Sequence, residues 1–530
     1  STAIETMEKS INEWFLTVFG TKLYLAIGSA TATADELIQS QRTLFRKVSQ
    51  SVGEAKSKRY SEQHLRDLFN PNSTYNTVLH GERECSICHS STAILSPYGK
   101  DTESEACPIC NGLYRLGEQI VDSRDTVFVL ARPNNSDTCE SIPKVEVYVK
   151  NWNDDADNLR LYLYVVTEAS LQKFEANHGI LRIYSKNTAK TGHNVFNRIW
   201  LADYVARKDN GQVYEFEELA TSSGLGEDKG IKRLGVLRAD VDNLGAAFIG
   251  GFISEGSDRF KYGTLSRYAD LSRDLAMFFK VAVNKMAQGD VQGFGTSVMP
   301  FTIWANKQVT TRKIHVIYSG GDDVFLVGAW DELLELAIDI REKLAEVTDN
   351  KITMSAGLAL FAPSYPISQM AMITGLLESV AKDNDGKDSI ALFGFETNSN
   401  GEERICRHVY KWDDLIDNVI EDKLYTLDQL FVIPGINGVQ DSKMKLGKGL
   451  IYKLMELLQG ILNDRALGKH INVARILYLL ARLEPKKNNP TYESYKNFVT
   501  AIHRWIQSEE DCKALLTACN LIVYYMRDTK

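Results

Sequence analysis

Two acidic motifs have the residue types and spacing that metal-assisted chemistry needs. The first lies in Tyr318–Phe325, where Ser-Gly-Gly-Asp-Asp separates two apolar segments and Gly320 and Gly321 predict a tight hairpin turn. This turn presents Asp322 and Asp323 at the rim of a sheet, where adjacent carboxylates repel each other unless a cation neutralises them. Oxygen ligands on a rigid turn suit Mg²⁺ or Mn²⁺, which keep waters and bind substrate phosphates.

The second acidic motif ends an earlier predicted strand and consists of Asp240, Val241, Asp242, Asn243, Leu244 and Gly245. Asp240 and Asp242 alternate around Val241, whose backbone carbonyl offers one more oxygen ligand. The Asn-Leu-Gly turn opens a helical segment whose N–H groups suit a triphosphate. Each motif alone also occurs as a solvated turn, but together and in this order they predict a metal site.

A third motif, residues 381–388, precedes the last predicted strand of the same region and carries Lys382 and Lys387. Both ammonium groups suit β- and γ-phosphates as point charges. The alternative is an ordinary solvated helix end with a glycine cap. Because the carboxylate motifs lie in the same region, we favour phosphate binding.

Four of the eight cysteines form two matched C-x-x-C pairs, which are Cys85 with Cys88 and Cys107 with Cys110. Four thiolates at this spacing predict one tetrahedral, structural Zn²⁺ site. A disulfide or a redox-active pair is the alternative, which is less usual for paired cysteines in a long cytosolic chain.

The elements that must position the acids are predicted as alternating strands and helices. In order they are strand 233–240, helix 265–287, strands 313–318 and 324–328, helix 331–347, strand 352–361, helix 367–382 and strand 389–395. Two crossovers around a central hairpin predict a ferredoxin-like α+β layer, which is the plan of a palm domain. In that plan the strand that ends at Asp240 lies beside the hairpin.

The 530 residues are predicted to form a multidomain α+β protein with four domains. Residues 1–77 read as helix, strand (22–28) and helix, and residues 229–400 as the palm. Residues 78–228 combine the cysteine pairs with strands at 126–130, 145–150, 159–166 and 180–184. Residues 401–530 have the periodicity of a helical bundle, with helices near 415–420, 450–462, 471–483 and 492–506. The polar stretches 70–77 and 221–229 predict linkers.

The acidic segment 240–245, the Gly-Gly-Asp-Asp turn and the lysine-bearing segment 381–388 resemble nucleotidyl cyclases of the GGDEF type. The chain is more closely similar to the large subunit of type III-A (Csm) CRISPR effector complexes. That family combines a first palm, a zinc-bearing domain, a second palm and a helical domain, and all four parts occur here in that order. The resemblance thus covers essentially the whole chain, with residues 1–77 as part of the first palm.

The resemblance implies synthesis of cyclic oligoadenylates from ATP in antiviral defence, switched on when CRISPR RNA pairs with target RNA. Other Csm subunits, CRISPR RNA and target RNA are the implied partners. Two catalytic Mg²⁺ or Mn²⁺ ions are implied, with Asp240 and Asp323 as principal ligands and Asp242, Val241 and Asp322 in support.

The resemblance also implies a set of nucleotide-binding residues, which are Ser319, Gly320, Gly321, Asn243, Leu244, Gly245, Lys382 and Lys387. Ser319 corresponds to a position that contacts adenine, and the two lysines match triphosphate-binding positions. The family usually begins with an HD nuclease domain that cuts single-stranded DNA. None of the nine histidines here is followed by Asp, so no such nuclease is predicted within this chain.

The formal net charge of −8 gives no overall basic surface for nucleic acid. RNA contact would use the local basic clusters 182–198 and 443–453, for which an ordinary solvated face is the alternative. No secretion signal and no apolar run of membrane-spanning length is found, so a cytoplasmic location without membrane contact is expected. Two rival functions stay open: a cyclic-dinucleotide synthase and an inactive, RNA-organising structural subunit.

Overall fold

The computed structural model of the protein describes most residues of the chain. These are 2–39, 41–73, 83–91, 94–99, 104–122, 126–132, 144–149, 159–175, 179–188, 196–226, 228–252, 262–289, 300–304, 311–397, 404–430, 448–468 and 473–527. They fall into two compact units. Unit 1 comprises Ser1–Leu201 and Gly245–Leu271, and unit 2 comprises Ala202–Leu244 and Ser272–Lys530.

Unit 1 begins with helices at Thr2–Phe19, Ala34–Gln39, Gln41–Ser57 and Glu62–Phe69, with a short 3-10 turn at Gly20–Lys22. The strand predicted at 22–28 is wrong, because side chains of the first helix bind the backbone groups that a strand partner would use. The Leu25 N–H donates to Asn12 Oδ1 and the Asn12 amide donates back to the Leu25 carbonyl, both at 2.8 Å. The Ile27 N–H donates to Glu8 Oε1 at 2.9 Å.

The cysteine pairs of unit 1 lie beside two short strands, Ser96–Pro97 and Glu105–Ala106, and the start of helix Pro108–Asp122. A five-stranded sheet follows with the order Lys144–Val149, Leu159–Thr167, Thr126–Arg132, Gly179–Lys186 and Phe196–Ile199. Helix Glu168–Glu175 packs against it. The four predicted strands are confirmed, and the last strand, parallel to its neighbour, was not predicted.

Unit 2 is built on a six-stranded sheet. Its strand order is Val409–Lys411, Ser389–Phe393, Met354–Phe361, Leu234–Val241, Asp323–Ala329 and Ile314–Gly320. We call Leu234–Val241 the central strand, Asp323–Ala329 the return strand and Ile314–Gly320 the edge strand. The central strand is antiparallel to both neighbours, and the four strands from Met354–Phe361 to the edge strand have the predicted ferredoxin-like order.

Helices cover the sheet as the crossovers require. The part of helix Leu265–Met277 that belongs to unit 2, residues 272–277, continues through a π-helical turn, Phe278–Ala282, into Val283–Ala287, and the hairpin leads into helix Trp330–Val347. Helix Ile367–Asp383 packs its buried residues against apolar side chains of the central strand. Short elements at Phe216–Thr221, Glu396–Thr397 and Arg404–Ile405 complete the region, and the helix Leu244–Gly250 begins the segment that belongs to unit 1.

The end of the chain is helical, as predicted. A π-helix spans Asp414–Leu424 and runs into Tyr425–Leu430, and further helices span Lys448–Ala466, Ala474–Ala481, Tyr492–Trp505 and Glu509–Met526. The last of these was not predicted. No helix within the described residues has both the length and the apolar character needed to cross a bilayer.

The described residues of the linker predicted at 221–229 form a packed turn of unit 2 instead. The Leu225 N–H donates to the Tyr525 carbonyl at 3.1 Å, and the Ile231 N–H donates to the Tyr524 carbonyl at 2.7 Å. Gly224 has φ +83°, and a Cβ there would lie 2.8 Å from Gly230 Cα. Close backbone packing therefore explains the glycines that resembled a flexible linker. Of the other predicted linker, residues 74–77 lie outside the described residues.

Candidate functional site

The central, return and edge strands bring the two acidic motifs together at one end of the sheet. Asp323 is the direct register partner of Asp240 on one side and of Gly320 on the other. Gly321 has φ +73°, a conformation that glycine adopts without strain, so the chain reverses within two residues. The Val241 N–H donates to the Asp322 carbonyl at 3.0 Å, which ties the turn to the end of the central strand.

The turn is electrostatically unfavourable without a cation. Burial, and then the charges of Asp240 and Asp323, raise the pKa of Asp322. Burial and Asp323 also raise the pKa of Tyr318, whose hydroxyl donates to the Gly320 carbonyl at 3.1 Å. Both shifts therefore combine burial with repulsion from the neighbouring carboxylates at the turn.

Lys382 is the cation that the structure places on this cluster. Its ammonium donates to Asp240 and, at 2.9 Å, to Glu378 one helical turn earlier. Burial alone would lower the pKa of Lys382, but these two carboxylates outweigh burial and raise it. Glu378 also accepts from Arg238 Nε at 3.1 Å, so the ion pairs continue along the face of the central strand.

A glycine lets the lysine-bearing helix approach the sheet closely enough for this contact. A Cβ at Gly357, on the strand beside the central strand, would lie 2.6 Å from the backbone nitrogen of Glu378. No side chain fits at that distance, so a substitution would push the helix away from the sheet. Helix Ile367–Asp383 is thereby fixed with Lys382 opposite Asp240.

Lys387 contacts the second acidic motif. Its ammonium donates to Asn243 Oδ1 at 2.7 Å. Three non-glycine residues of these two loops have left-handed backbones, with φ +53° at Asn243, +54° at Lys387 and +47° at Asp388. Such conformations cost free energy, so the surrounding contacts must hold both loops in place.

Asp242 lies inside the wall of the site. Its side chain is buried, and its Oδ2 accepts from the Thr353 hydroxyl at 2.9 Å and from the Asp388 N–H at 3.0 Å. Its Oδ1 has no hydrogen-bond partner within the described part of the chain. One oxygen of Asp242 therefore holds the loop that carries Lys387, and the other remains available.

The other predicted nucleotide-binding residues include Ser319, which lies beside the turn, and Leu244 and Gly245, which end the second acidic motif along the chain. Ser319 is buried, and its hydroxyl donates to the Phe279 carbonyl, in the π-helical turn, at 2.6 Å. Leu244 and Gly245 begin the short helix Leu244–Gly250 as predicted. The structure thus gathers the four aspartates, Ser319, Asn243 and both lysines within unit 2, while Gly245 belongs to a segment of unit 1.

Sequence reasoning missed three polar residues that hold the site. Arg238 lies two residues before Asp240 on the same face of its strand, and Glu378 lies four residues before Lys382 on the same face of its helix. Both spacings are signals in the sequence that could have placed these residues beside the site. Asp388 ends the lysine-bearing motif, where the sequence alone gave it no role. It accepts from Arg341 Nη2 at 2.8 Å, and Arg341 Nη1 also reaches Asp413 at 2.9 Å.

The four paired cysteines meet in unit 1. The sulfurs of Cys85, Cys88, Cys107 and Cys110 all lie within 4.8 Å of one another, with Cys88 and Cys107 at 3.9 Å. Tetrahedral Zn–S bonds of about 2.3 Å require sulfurs about 3.8 Å apart. Burial tends to raise the pKa of Cys85, but N–H groups of Cys107 and Cys88 that point at its sulfur prevail and lower it to about 6. The arrangement fits one Zn²⁺.

The predicted RNA-contacting clusters are only partly described. Lys186 is buried and donates to the Ile120 carbonyl at 2.7 Å, so it holds unit 1 together rather than facing a ligand. Arg198 stacks over Trp200 at 4.2 Å, and Lys453 pairs with Glu456 at 2.7 Å. Residues 189–195 and 443–447 lie outside the described residues, and RNA binding stays a prediction.

The fold and the acidic turn define a multidomain protein built around a palm domain. Residues 233–391 match the family model Cas10/Cmr2, second palm domain, and residues 1–74 match Csm1 subunit domain B. Residues 437–528 match the second helical domain of the CRISPR RNA silencing complex Cmr2 subunit.

Relatives of the whole chain agree with these matches. The chain is 32% identical over 541 residues to the Mycobacterium tuberculosis "CRISPR system single-strand-specific deoxyribonuclease Cas10/Csm1 (subtype III-A)", covering 99% of this chain and 58% of the relative. It is 32% identical over 534 residues to the protein of the same description from Streptococcus thermophilus, again covering 99% and 58%. The chain belongs to the Cas10/Csm1 family of type III-A CRISPR systems, and it spans little more than half the length of these relatives.

Solved structures share the fold. A Csm1–Csm4 cassette in complex with one ATP superposes with a TM-score of 0.65 at 20% identity, covering 99% of this chain and 60% of that one. The cassette in complex with cA4 has a TM-score of 0.62 at 21% identity, with coverage of 99% and 59%. The cassette in complex with pppApA has a TM-score of 0.63 at 21% identity. At these identities the likeness establishes the fold alone.

Proposed function

We propose that this chain carries the nucleotidyl-transfer site of a type III-A effector complex and makes cyclic oligoadenylates from ATP when target RNA is bound. The observation that carries the proposal is the convergence of Asp240, Asp322 and Asp323 at one rim of the palm sheet. The bound ATP, pppApA and cA4 of the related cassettes are a substrate, an intermediate and a product of such a reaction, which supports the same assignment.

The residues present fit divalent cations. Hard carboxylate oxygens converge, burial and then the neighbouring carboxylates raise the pKa of Asp322, and one Asp242 oxygen is buried with no partner among the described residues. Asp240 and Asp323, with the Val241 carbonyl and Asp322, would hold two Mg²⁺ or Mn²⁺. When bound, such ions lower the pKa of a ribose hydroxyl and stabilise charge on the transferred phosphate and the leaving pyrophosphate.

The protein's own groups then position the nucleotides. Lys382, which binds Asp240 here, would be free to bind the triphosphate if a divalent ion took its place on that carboxylate. Lys387 and the backbone around Asn243 face the phosphates from the second motif. Ser319 keeps the edge strand fixed to the π-helical turn and lines the adenine pocket. Nothing in this arrangement requires a side chain as general base.

We further propose that Cys85, Cys88, Cys107 and Cys110 bind one structural Zn²⁺. The support is the mutual approach of the four sulfurs and the N–H groups that point at Cys85. Closed four-thiolate sites contribute to folding rather than to catalysis. Other Csm subunits, CRISPR RNA and target RNA are the proposed partners, in keeping with the Csm1–Csm4 composition of the solved relatives.

The test uses the full-length protein assembled with its Csm partners and CRISPR RNA. Labelled ATP or GTP is supplied with Mg²⁺ or Mn²⁺, with matching or non-matching target RNA. We expect cyclic oligoadenylate from ATP only with the matching target. Product from GTP would favour a cyclic-dinucleotide synthase, and no product from either nucleotide would leave a structural, RNA-organising subunit.

A further inference from the structure

Lys280 lies at the acidic turn, although its sequence position suggests no such place. It belongs to the π-helical turn Phe278–Ala282, some forty residues before the hairpin. Its side chain lies against Gly320, where a Cβ added to the glycine would be 3.2 Å from Lys280 Cε. In the same π-helical turn, the Phe279 carbonyl accepts a hydrogen bond from the Ser319 hydroxyl. The turn is therefore joined to the hairpin by two neighbouring contacts, one at Ser319 and one at Gly320. π-helical turns of this kind occur frequently at functional sites.

The three lysines around the site differ in what they bind. Lys382 is held by Asp240 and Glu378, and Lys387 is held by Asn243. Lys280 is half-buried and makes no hydrogen bond or ion pair with any described residue. An ammonium group kept without such a partner beside a predicted triphosphate site is suited to an anionic ligand.

The register of the sheet shows where the Lys280 side chain, through its contact with Gly320, lies relative to the acids. Asp240, Asp323 and Gly320 are direct partners across three adjacent strands. Lys382 contacts the first of these positions and Lys280 covers the last, so the two lysines bracket Asp323. With strands about 4.8 Å apart, the bracketed positions span about 10 Å, a distance that a metal-bound triphosphate can bridge.

We propose that Lys280 is a phosphate-binding residue of the palm and contacts the triphosphate of a nucleotide held at the Gly320–Asp323 turn. The inference rests on the proposed nucleotidyl-transfer function and adds a residue that none of the acidic or lysine motifs contains. Lys280 acts from the π-helical turn that packs on Gly320 of the edge strand, while Lys382 and Lys387 act from the far side of the central strand.

The test compares ATP and adenosine as ligands of the assembled full-length protein with Mg²⁺. Lys280→Met keeps the aliphatic stem on Gly320 and removes the charge, and Lys280→Arg keeps the charge. Lys351→Gln is the matched control, because Lys351 is exposed and its ion pair is with Asp349, which is none of the acids of the site. We expect Lys280→Met to raise the Kd and KM for ATP about tenfold or more. Adenosine binding should not change, Lys280→Arg should restore part of the ATP affinity, and the control should match the wild type.

Three results would overturn the inference, and they are distinguishable. If the wild type makes product and Lys280→Met keeps its ATP affinity, Lys280 does not contact phosphate and the proposed function stands. If ATP and adenosine weaken equally, Lys280 only supports the hairpin. If the wild-type assembly neither binds nor converts ATP, the proposed function fails together with the inference.

Discussion

Asp242 provides a sharp test of how the site is built, because the structure gives its two oxygens different roles. Oδ2 accepts from the Asp388 N–H at 3.0 Å and from the Thr353 hydroxyl at 2.9 Å, whereas Oδ1 is buried without a described partner. Asp242→Ala removes both bonds, and Asp242→Asn can keep both on its single carbonyl oxygen. The pair of variants therefore separates the loss of the bonds from the loss of the charge.

The size of the effect follows from these contacts. A buried N–H left without an acceptor costs about 1–3 kcal/mol, and the half-buried Thr353 hydroxyl costs less because it can turn to water. We expect Asp242→Ala to destabilise the loop at Asp388 by about 2–4 kcal/mol. Asp242→Asn should cost less than about 1 kcal/mol, since its amide nitrogen takes the place of the oxygen that accepts nothing.

The assay is hydrogen exchange of the peptide that contains Asp388, measured on the intact protein, together with ATP turnover. Loop opening should become about 30- to 1000-fold easier in Asp242→Ala and change less than about tenfold in Asp242→Asn. Turnover should follow the same order if Asp242 positions the Lys387 loop. Equal protection of Asp388 in both variants would refute the loop-holding role. Full protection in Asp242→Asn with turnover lost about a hundredfold would instead make Asp242 a metal ligand in its own right.

Three further predictions concern other contacts. Arg341→Gln should destabilise the Asp388 loop by about 1–3 kcal/mol, because Asp388 loses its charged donor. Hydrogen exchange of the Asp388 peptide measures the opening of the loop. An exchange rate equal to that of the wild type would contradict the prediction. Because the pKa of Asp322 is raised, the Asp322 carboxyl group binds a proton more tightly in the folded, metal-free protein than in the unfolded chain. The protein's free energy of unfolding should therefore fall as pH rises through that raised pKa, and Mn²⁺ should remove the fall; thermal unfolding at several pH values tests the sign. Cys85→Ser should lower the zinc content and the melting temperature of the cysteine-containing unit, and a full complement of zinc in this variant would refute the four-thiolate site.

The palm could be predicted because its sequence carries signals of two kinds. Apolar strands of regular length gave the order of elements, and the Gly-Gly-Asp-Asp turn could form only one tight hairpin. The strand at 22–28 failed because extended, apolar sequence does not reveal that Asn12 and Glu8 take its backbone groups. A side-chain bond across more than ten residues leaves no periodic signal.

The end of the chain shows a different limit. Helix Glu509–Met526 is buried along most of its length, so it has no polar face and no amphipathic period. The start of this helix could have been predicted, because Ser508 is a preferred N-cap residue. In the structure its hydroxyl accepts from the Asp511 N–H at 3.2 Å. At the site, the acids and the lysines at 382 and 387 could be selected from the sequence. Lys280 could not, because only the folded sheet brings its π-helical turn to Gly320.

The proposed function requires the carboxylates of the palm turn for nucleotidyl transfer. The most direct measurement is the rate of cyclic oligoadenylate formation by the target-bound complex when Asp322 and Asp323 are both replaced by alanine, with Lys351→Gln as the control. We expect the double variant to assemble, bind target RNA and form no product above background, while the control matches the wild type. Product formation at the wild-type rate by Asp322→Ala/Asp323→Ala would contradict it.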